Sequence, residues 1–271
     1  MNTRLLSAKV LVRVLDGQSL TTALELNTLT DQDKAFVQAV CYGVCRYYPR
    51  LEFILNQLLD KPIKDNEVKA LALVGLYQLR YMRVKPHAAV SETVLATRKK
   101  PWAKGLLNAL LRRYQREQDS LEQLADSVPS ALYSHPNWLI ERITHDWQEH
   151  ATDILNANNQ QAPMVLRVNQ QKTNTADYLK LLNENNITGN AIDICPTAIV
   201  LDKAVNIEQL PNFQQGWVSV QDTAAQLAAS LLDLQPNQCV LDMCAAPGGK
   251  AAHILETEPS INLSAIDIDQ S

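Results

Sequence analysis

The sequence predicts a multidomain protein in which an all-helical bundle is followed by a small α/β piece and the opening βαβ unit of a doubly wound sheet. Three observations predict this order. Residues up to about 128 place apolar side chains at helical spacing between short loops. From residue 163 onward, short β-branched runs alternate with helical segments. Residues 239–267 then have the pattern of a strand, a tight turn, a helix and a second strand.

Composition limits the class of protein. The 271 residues give room for more than one domain, and 46% hydrophobic with 20% charged residues is typical of a globular protein. No run of 18 apolar residues and no signal-peptide pattern occurs, so we expect a cytoplasmic protein. The five cysteines stand singly, without the spacing of zinc sites or the density of a disulfide framework, so we expect reduced thiols and no metal.

The predicted helical segment includes a capping-box-like pair, Thr30 and Asp33, followed by an apolar helix face. Cys41 and Cys45 lie one turn apart on that face. A metal pair is conceivable there, but two small buried side chains are the preferred interpretation because no His or third Cys is near in sequence. Short loops between amphipathic helices indicate a compact bundle. Further helices are predicted over residues 51–59, 68–82, 90–100 and 102–118, punctuated by Pro49, Pro62 and Pro86.

Positive charge is concentrated in one part of the chain, although the formal net charge is −4. Such a cluster indicates a surface that contacts an RNA backbone, and the alternative is a merely solvated helix face. Between residues 80 and 116 a single carboxylate, Glu92, accompanies the cations Arg80, Arg83, Lys85, Arg98, Lys99, Lys100, Lys104, Arg112, Arg113 and Arg116.

The middle of the chain changes its hydrophobic period. Pro136 and Asn137 open a short helix, and His135 before them is interpreted as a capping or packing residue because no acid or nucleophile accompanies it. Strands are predicted over residues 163–169, 198–201 and 217–221, with helices over 176–184 and 223–234. This alternation predicts the small α/β piece.

The segment from Cys239 onward has the pattern of a nucleoside-binding βαβ unit. Its first strand is predicted to be buried and to end at Asp242. Gly248 and Gly249 let the backbone pass close to a ligand, and the first amides of the following helix favour a negative group. Asp267 ends the next apolar run, 18 residues after Gly249, where its carboxylate would accept hydrogen bonds from a ribose diol.

The spacing within this segment narrows the choice of cofactor. A phosphate-binding loop needs glycine and a hydroxyl residue where this chain has Cys244 and Ala251, so a nucleotidase is not expected. A dinucleotide site needs three spaced glycines, and only an adjacent pair is present. S-adenosyl-L-methionine is the remaining candidate.

The strings VLDMCAAPGGKAAH and LSAIDID resemble the cofactor motif of the RNA cytosine-C5 methyltransferases, in particular the bacterial RsmB/Sun/Fmu type that modifies small-subunit ribosomal RNA. The resemblance implies a Rossmann-like class I methyltransferase fold and S-adenosyl-L-methionine as the cofactor. It implies that Asp267 holds the ribose hydroxyls. It also implies that the methionine end and the ribose are wrapped by Cys244, Ala245, Ala246, Pro247, Gly248, Gly249 and Lys250.

Two further stretches resemble known domains. The string AVSETVLATRKKPWAKGLLNALLRR is similar to the NusB-like helical RNA-binding domain. The α/β piece is similar to the linker subdomain of these methyltransferases, with Arg167, Asn169, Gln221 and Asp222 at family-like positions. The roles of these four residues do not follow from the sequence. The expected domains are therefore residues 1–130, 131–235 and 236–271.

The expected chemistry needs a thiolate that attacks C6 of the pyrimidine. The family carries two cysteines for it, in Pro-Cys and Thr-Cys-Ser contexts, and neither context occurs in this sequence. Cys244 would compete with the cofactor for the same space, so no catalytic residue is assigned.

The chain ends at Ser271 after two strands of the predicted sheet, and we expect it to be truncated, inactive in methylation and weak in cofactor binding. The alternative is a stand-alone RNA-binding or antitermination-like module with a non-catalytic appendage.

Overall fold

The computed structural model describes residues 2–25 and 30–268, so the last residue of the LSAIDID string and the chain end at Ser271 lie outside the described residues. The chain forms two compact units, Met1–Gln160 and Gln161–Ser271. The domain boundaries expected at residues 130 and 235 stay predictions. Among the described residues, no helix combines the length and the apolar character that crossing a bilayer requires.

The first unit is a helical bundle built around one buried helix. That central helix, α5, has apolar residues on all sides, and α1, α3, α4, α6 and α7 pack around it. The helices are α1 (Thr3–Leu15), α2 (Leu20–Ala23), α3 (Asp31–Arg46), α4 (Tyr48–Gln57), α5 (Asn66–Tyr81), α6 (Pro86–Leu95), α7 (Pro101–Asp126), α8 (Pro129–Leu132), α9 (Asn137–Trp147) and α10 (Ala151–Asn158).

Most predicted helices are present, with shifted ends. Thr30 caps α3 as expected, accepting from the Asp33 amide at 3.2 Å, although the Asp33 carboxylate bonds the Thr30 hydroxyl. Helix α6 ends at Leu95 and is followed by turn residues 96–99, so it stops short of the predicted Lys100, which lies outside the helical region before Pro101. Helix α7 continues past the predicted Gln118, since buried residues near its end extend its apolar face.

Two glycines of this bundle predict stability changes of opposite sign. The Tyr77 ring fills the space that a Cβ on Gly43 would need, so Gly43→Ala is expected to destabilise the unit by about 1–3 kcal/mol. Gly105, inside α7, has open space around it, so Gly105→Ala is expected to stabilise the unit by about 0.5–1 kcal/mol. Urea unfolding of both variants tests this; equal effects would contradict the packing of α3 on α5.

The second unit begins with a four-stranded antiparallel sheet of order β2-β3-β1-β4. Helix α11 covers one face, where its buried Tyr178 and Leu182 pack against Leu166 and Ile199. The sequence missed β2, which contains Gly189 and Asn190, residues that are depleted in strands. The elements are β1 (Val165–Val168), α11 (Thr175–Glu184), β2 (Gly189–Ile192), β3 (Cys195–Leu201), β4 (Val218–Val220) and α12 (Thr223–Ser230).

The unit ends with β5 (Cys239–Asp242), α13 (Gly249–Thr257) and β6 (Asn262–Ala265). Strands β5 and β6 pair in parallel, with Asp242 opposite Ala265. Ile254 of α13 and Ala229 of α12 form a small core with Ile261. The prediction of a buried first strand is wrong for the described residues, because this helical layer covers only one face and leaves Leu241 53% exposed on the other.

Candidate functional site

Five of the predicted cofactor residues, 244–248, lie in the loop between β5 and α13, called the cofactor loop. Gly249 and Lys250 begin α13, and Asp267 follows β6. The Cys244 amide donates to Asp242 Oδ1 at 3.2 Å, and the Ala246 amide donates to Asp267 Oδ2 at 2.8 Å. The Ala245 amide donates to the Ile266 carbonyl at 3.1 Å. The loop is therefore fixed to the carboxyl ends of both strands, the edge at which open α/β sheets bind ligands.

The loop leaves space in front of α13. Gly248 adopts a left-handed backbone with φ of 93°, which favours glycine, and a Cβ built there would meet no atom within 4 Å. Helix α13 starts at Gly249 without a side-chain cap, so its first amides are directed toward this space. Lys250 follows and is exposed. The arrangement fits a ligand with a negative group near the helix start.

Asp242 supplies a second indication of a ligand. Its Oδ2 atom is buried and has no hydrogen-bond partner among the described residues. Buried carboxylate oxygens normally accept a hydrogen bond, so an amino or hydroxyl group of a ligand would supply the hydrogen bond that this oxygen lacks. S-adenosyl-L-methionine carries both kinds of donor, and the residues present therefore fit it. From the sequence, Asp242 is predicted only to end the first strand, and its position directly after the apolar run is the signal that marks it.

The residues whose roles were left open divide into two pairs. Asn169 bonds the Gly216 carbonyl, and Asp222 caps α12 through the Ala224 amide, so both stabilise turns. Arg167 instead donates from Nη1 to Gln221 Oε1 at 2.6 Å. The same atom donates to the carbonyl of Gly249, the first residue of α13, at 2.6 Å.

His253 lies one turn into α13 and is 6% exposed, and its Nδ1 has no partner among the described residues. Burial, together with the charge of Arg167, lowers the pKa of His253 to about 4. The imidazole is therefore neutral at neutral pH in the folded protein.

This lowered pKa predicts a pH dependence of stability. Between pH 6.5 and about 4 the unfolded chain binds a proton at His253 that the folded protein excludes. The stabilisation is thus complete above pH 6.5 and is lost as the pH falls, by on the order of 2 kcal/mol. Urea unfolding of the second unit at pH 7 and pH 4.5 tests this. His253→Gln should reduce the difference in unfolding free energy between the two pH values, whereas His87→Gln, at an exposed position, should leave it unchanged. The same difference in all three proteins would contradict the assignment to His253.

The cationic cluster is smaller than the sequence indicates. Arg80 pairs with Glu122 at 3.0 Å, Lys100 with Asp65 at 2.6 Å, and Arg113 with a glutamate one turn along α7. Carboxylates outside residues 80–116 thus neutralise three cations of the cluster. The cations that are exposed and have no ion pair within the described ranges are called the basic face: Arg83, Lys85, Arg98, Lys99, Lys104, Arg112 and Arg116.

Two other sequence candidates are packed side chains. Cys41 is buried, its thiol donates to the Ser7 carbonyl at 3.7 Å, and burial raises its pKa to about 12. His135 is buried, with its ring nitrogens bonded to Tyr133 and Asn158, which supports the predicted packing role.

Three family models match the chain. Residues 1–116 match the NusB family, and residues 135–208 match the ferredoxin-like domain of RsmF/B-like methyltransferases. Residues 229–271 match the 16S rRNA methyltransferase RsmB/F family. These matches confirm the resemblance of both ends of the chain. They also identify the middle piece as ferredoxin-like, in agreement with its antiparallel sheet.

Similar proteins include several named ribosomal RNA small subunit methyltransferase B. That of Proteus mirabilis is 46% identical over 99% of this chain and 65% of its own length. That of Vibrio vulnificus is 44% identical over 100% of this chain and 65% of its own length. The chain thus spans about 65% of the length of these curated relatives. The solved structure of PH0851 has a TM-score of 0.70 at 19% identity, over 100% of this chain and 64% of that one, and is similar in fold.

Proposed function

Because the chain belongs to the 16S rRNA methyltransferase RsmB/F family, we propose that it takes part in transferring a methyl group from S-adenosyl-L-methionine to C5 of a cytosine in small-subunit ribosomal RNA. The observation that carries the proposal is the loop between β5 and α13, fixed to two strand ends beside the unsatisfied oxygen of Asp242. The alternative of a stand-alone RNA-binding module is not favoured, since residues 229–271 match the methyltransferase family.

In the proposed site, residues 244–250 surround the methionine end and ribose of the cofactor, which supplies the methyl group. The amides at the start of α13 bind its carboxylate, because they have no helical partner. Asp242 Oδ2 accepts from a donor of the cofactor, and the Asp267 carboxylate, held next to the loop, accepts from the ribose hydroxyls. Neutral His253 adds no positive charge behind the loop.

In the proposed RNA complex, the basic face contacts phosphates, which gives affinity without base specificity. Three of its members, Lys104, Arg112 and Arg116, follow one another along α7 at multiples of four residues and so share one side of the helix. The exposed Trp102, at the start of the same helix, offers a ring on which an unpaired base could stack. The protein then acts in the cytoplasm, where ribosomal RNA is found in bacteria.

The proposed reaction also needs a nucleophilic thiolate and a base. Cys244 is exposed in the cofactor loop, where a nucleophile would occupy cofactor space, and no cysteine of the sequence has a Pro-Cys or Thr-Cys-Ser context. We therefore assign binding roles and no catalytic residue to these 271 residues.

Methylation with tritium-labelled cofactor tests the proposal. The protein expressed from its natural gene is incubated with small-subunit RNA, and the RNA is digested to nucleosides. We expect label in 5-methylcytidine, and label confined to another nucleoside would overturn the cytosine assignment. The 271-residue chain alone is expected to bind the RNA without labelling it, because it lacks the cysteine contexts. Robust labelling by that chain would refute the absence of catalytic residues.

A further inference from the structure

Arg167 joins the antiparallel sheet to the helix that follows the cofactor loop. It lies on β1, yet its side chain is only 1% exposed. Nε and Nη2 donate to the two carboxylate oxygens of Glu256, at 3.0 and 2.7 Å. Nη1 donates to the Gly249 carbonyl and to Gln221 Oε1, each at 2.6 Å. One guanidinium thus contacts the first residue of α13 and a residue near its end.

This geometry uses a property that only arginine has. The guanidinium is planar, always charged and carries five N–H donors in a fixed arrangement, so its bonds to Glu256 set the direction of the remaining donors. The bonds to Gly249 and Gln221 then fix the start of α13 relative to the end of β4. The Gln221 amide in turn donates to the Val165 carbonyl of β1 at 3.0 Å, which closes the connection.

The start of α13 is also the end of the cofactor loop. Gly248 begins the helix in its left-handed conformation, and the Gly248 amide returns to the Ala245 carbonyl. A shift of Gly249 would therefore change the loop amides that face the ligand. A simple structural ion pair between Arg167 and Glu256 would not need the additional bond to a backbone carbonyl inside the motif.

We infer that Arg167 is a positioning residue that holds the cofactor loop in its binding conformation through the Gly249 carbonyl. The inference rests on the proposed function only in assuming that this loop binds the methyl donor. It assigns to the ferredoxin-like sheet a role in the cofactor site, through a residue far from the glycine motif in sequence. Arg167 touches no reacting atom and is not catalytic.

The test separates a loss of overall stability from a change in the order of the cofactor loop. The double variant Arg167→Met/Glu256→Met replaces the buried pair by apolar side chains of similar volume, a change that buried pairs often tolerate without loss of stability. We expect a melting temperature close to that of the unchanged chain. Amide hydrogen exchange of the peptide spanning residues 243–250 is expected to be at least tenfold faster. Ser219→Ala, which removes only the 3.4 Å contact to Arg167, should leave that peptide unchanged.

Unchanged exchange of the loop in a folded double variant would overturn the inference. If that variant does not fold, Arg167→Lys gives the same comparison, because one ammonium group cannot contact both Glu256 and Gly249 in the same geometry. Faster loop exchange with Lys is the expected result, and exchange equal to that of the unchanged chain contradicts it. Absence of cofactor binding by the unchanged chain would count against the proposed function. It would not alter the exchange measurement, which tests the effect of Arg167 on the loop without cofactor.

Discussion

Replacing Glu122 by alanine lowers the free energy of unfolding of the helical unit by about 3–5 kcal/mol, the range for breaking a buried ion pair from one side. Glu122 is 13% exposed, and its Oε2 accepts from Arg50 Nε at 2.9 Å. Its Oε1 accepts from the Tyr114 hydroxyl at 2.7 Å and pairs with Arg80 at 3.0 Å. Without the carboxylate, the Tyr114 hydroxyl loses its acceptor, and the buried Arg50 charge keeps its 2.8 Å pair with Asp126, whose side chain is 54% exposed.

Glu117→Ala is the matched control on the same helix. Glu117 forms an exposed pair with Arg113, one helical turn away, and its removal should cost no more than about 0.5 kcal/mol. Both variants are measured by urea unfolding with circular dichroism. Equal destabilisation of the two, or a loss below 1 kcal/mol for Glu122→Ala, would mean that the described network does not stabilise the bundle.

The double charge reversal Lys104→Glu/Arg112→Glu weakens binding of small-subunit ribosomal RNA on the order of thirtyfold at moderate salt. Both side chains are exposed on α7 and have no ion pair within the described residues. For each phosphate contact that is lost, about one counterion fewer is released when the RNA binds. The slope of log affinity against log salt should therefore fall by about 1.4–1.8.

Lys9→Glu/Lys34→Glu is the control, because it changes the net charge of the same unit by the same amount on α1 and α3. Filter binding across a salt series should show less than a threefold change for this pair. Equal losses in both double variants would indicate that overall charge, and not the basic face, determines RNA affinity. Unchanged affinity of the Lys104→Glu/Arg112→Glu variant would support the alternative interpretation, in which the basic face is only a solvated surface.

Local patterns predicted most of the elements. Helical spacing and proline positions identified the bundle, and the glycine pair located the loop before α13. Strand β2 was missed, because Gly189 and Asn190 carry little strand signal and the pairing with β3 is decided by tertiary packing. The exposure of Leu241 could not be predicted, since burial of a strand depends on which elements cover each face of its sheet.

The candidate site was predicted only where its residues are adjacent in sequence. The loop and Asp267 belong to one motif, and the structure brings them together. Arg167 and Glu256 are 89 residues apart, so no local pattern links them. The basic face was overestimated for the same reason, because Asp65 and Glu122, outside the basic stretch, neutralise Lys100 and Arg80.

Ultraviolet crosslinking of tritiated S-adenosyl-L-methionine tests the central claim, that the loop and Asp267 form the methyl donor's site. Crosslinking detects weak complexes, which suits a chain that is expected to bind weakly. We expect the label in the peptide spanning residues 243–250. Asp267→Ala should reduce it at least tenfold, and Asp202→Ala, an exposed aspartate of the same unit, should not. Label in other peptides, no label, or label indifferent to Asp267→Ala would contradict the claim.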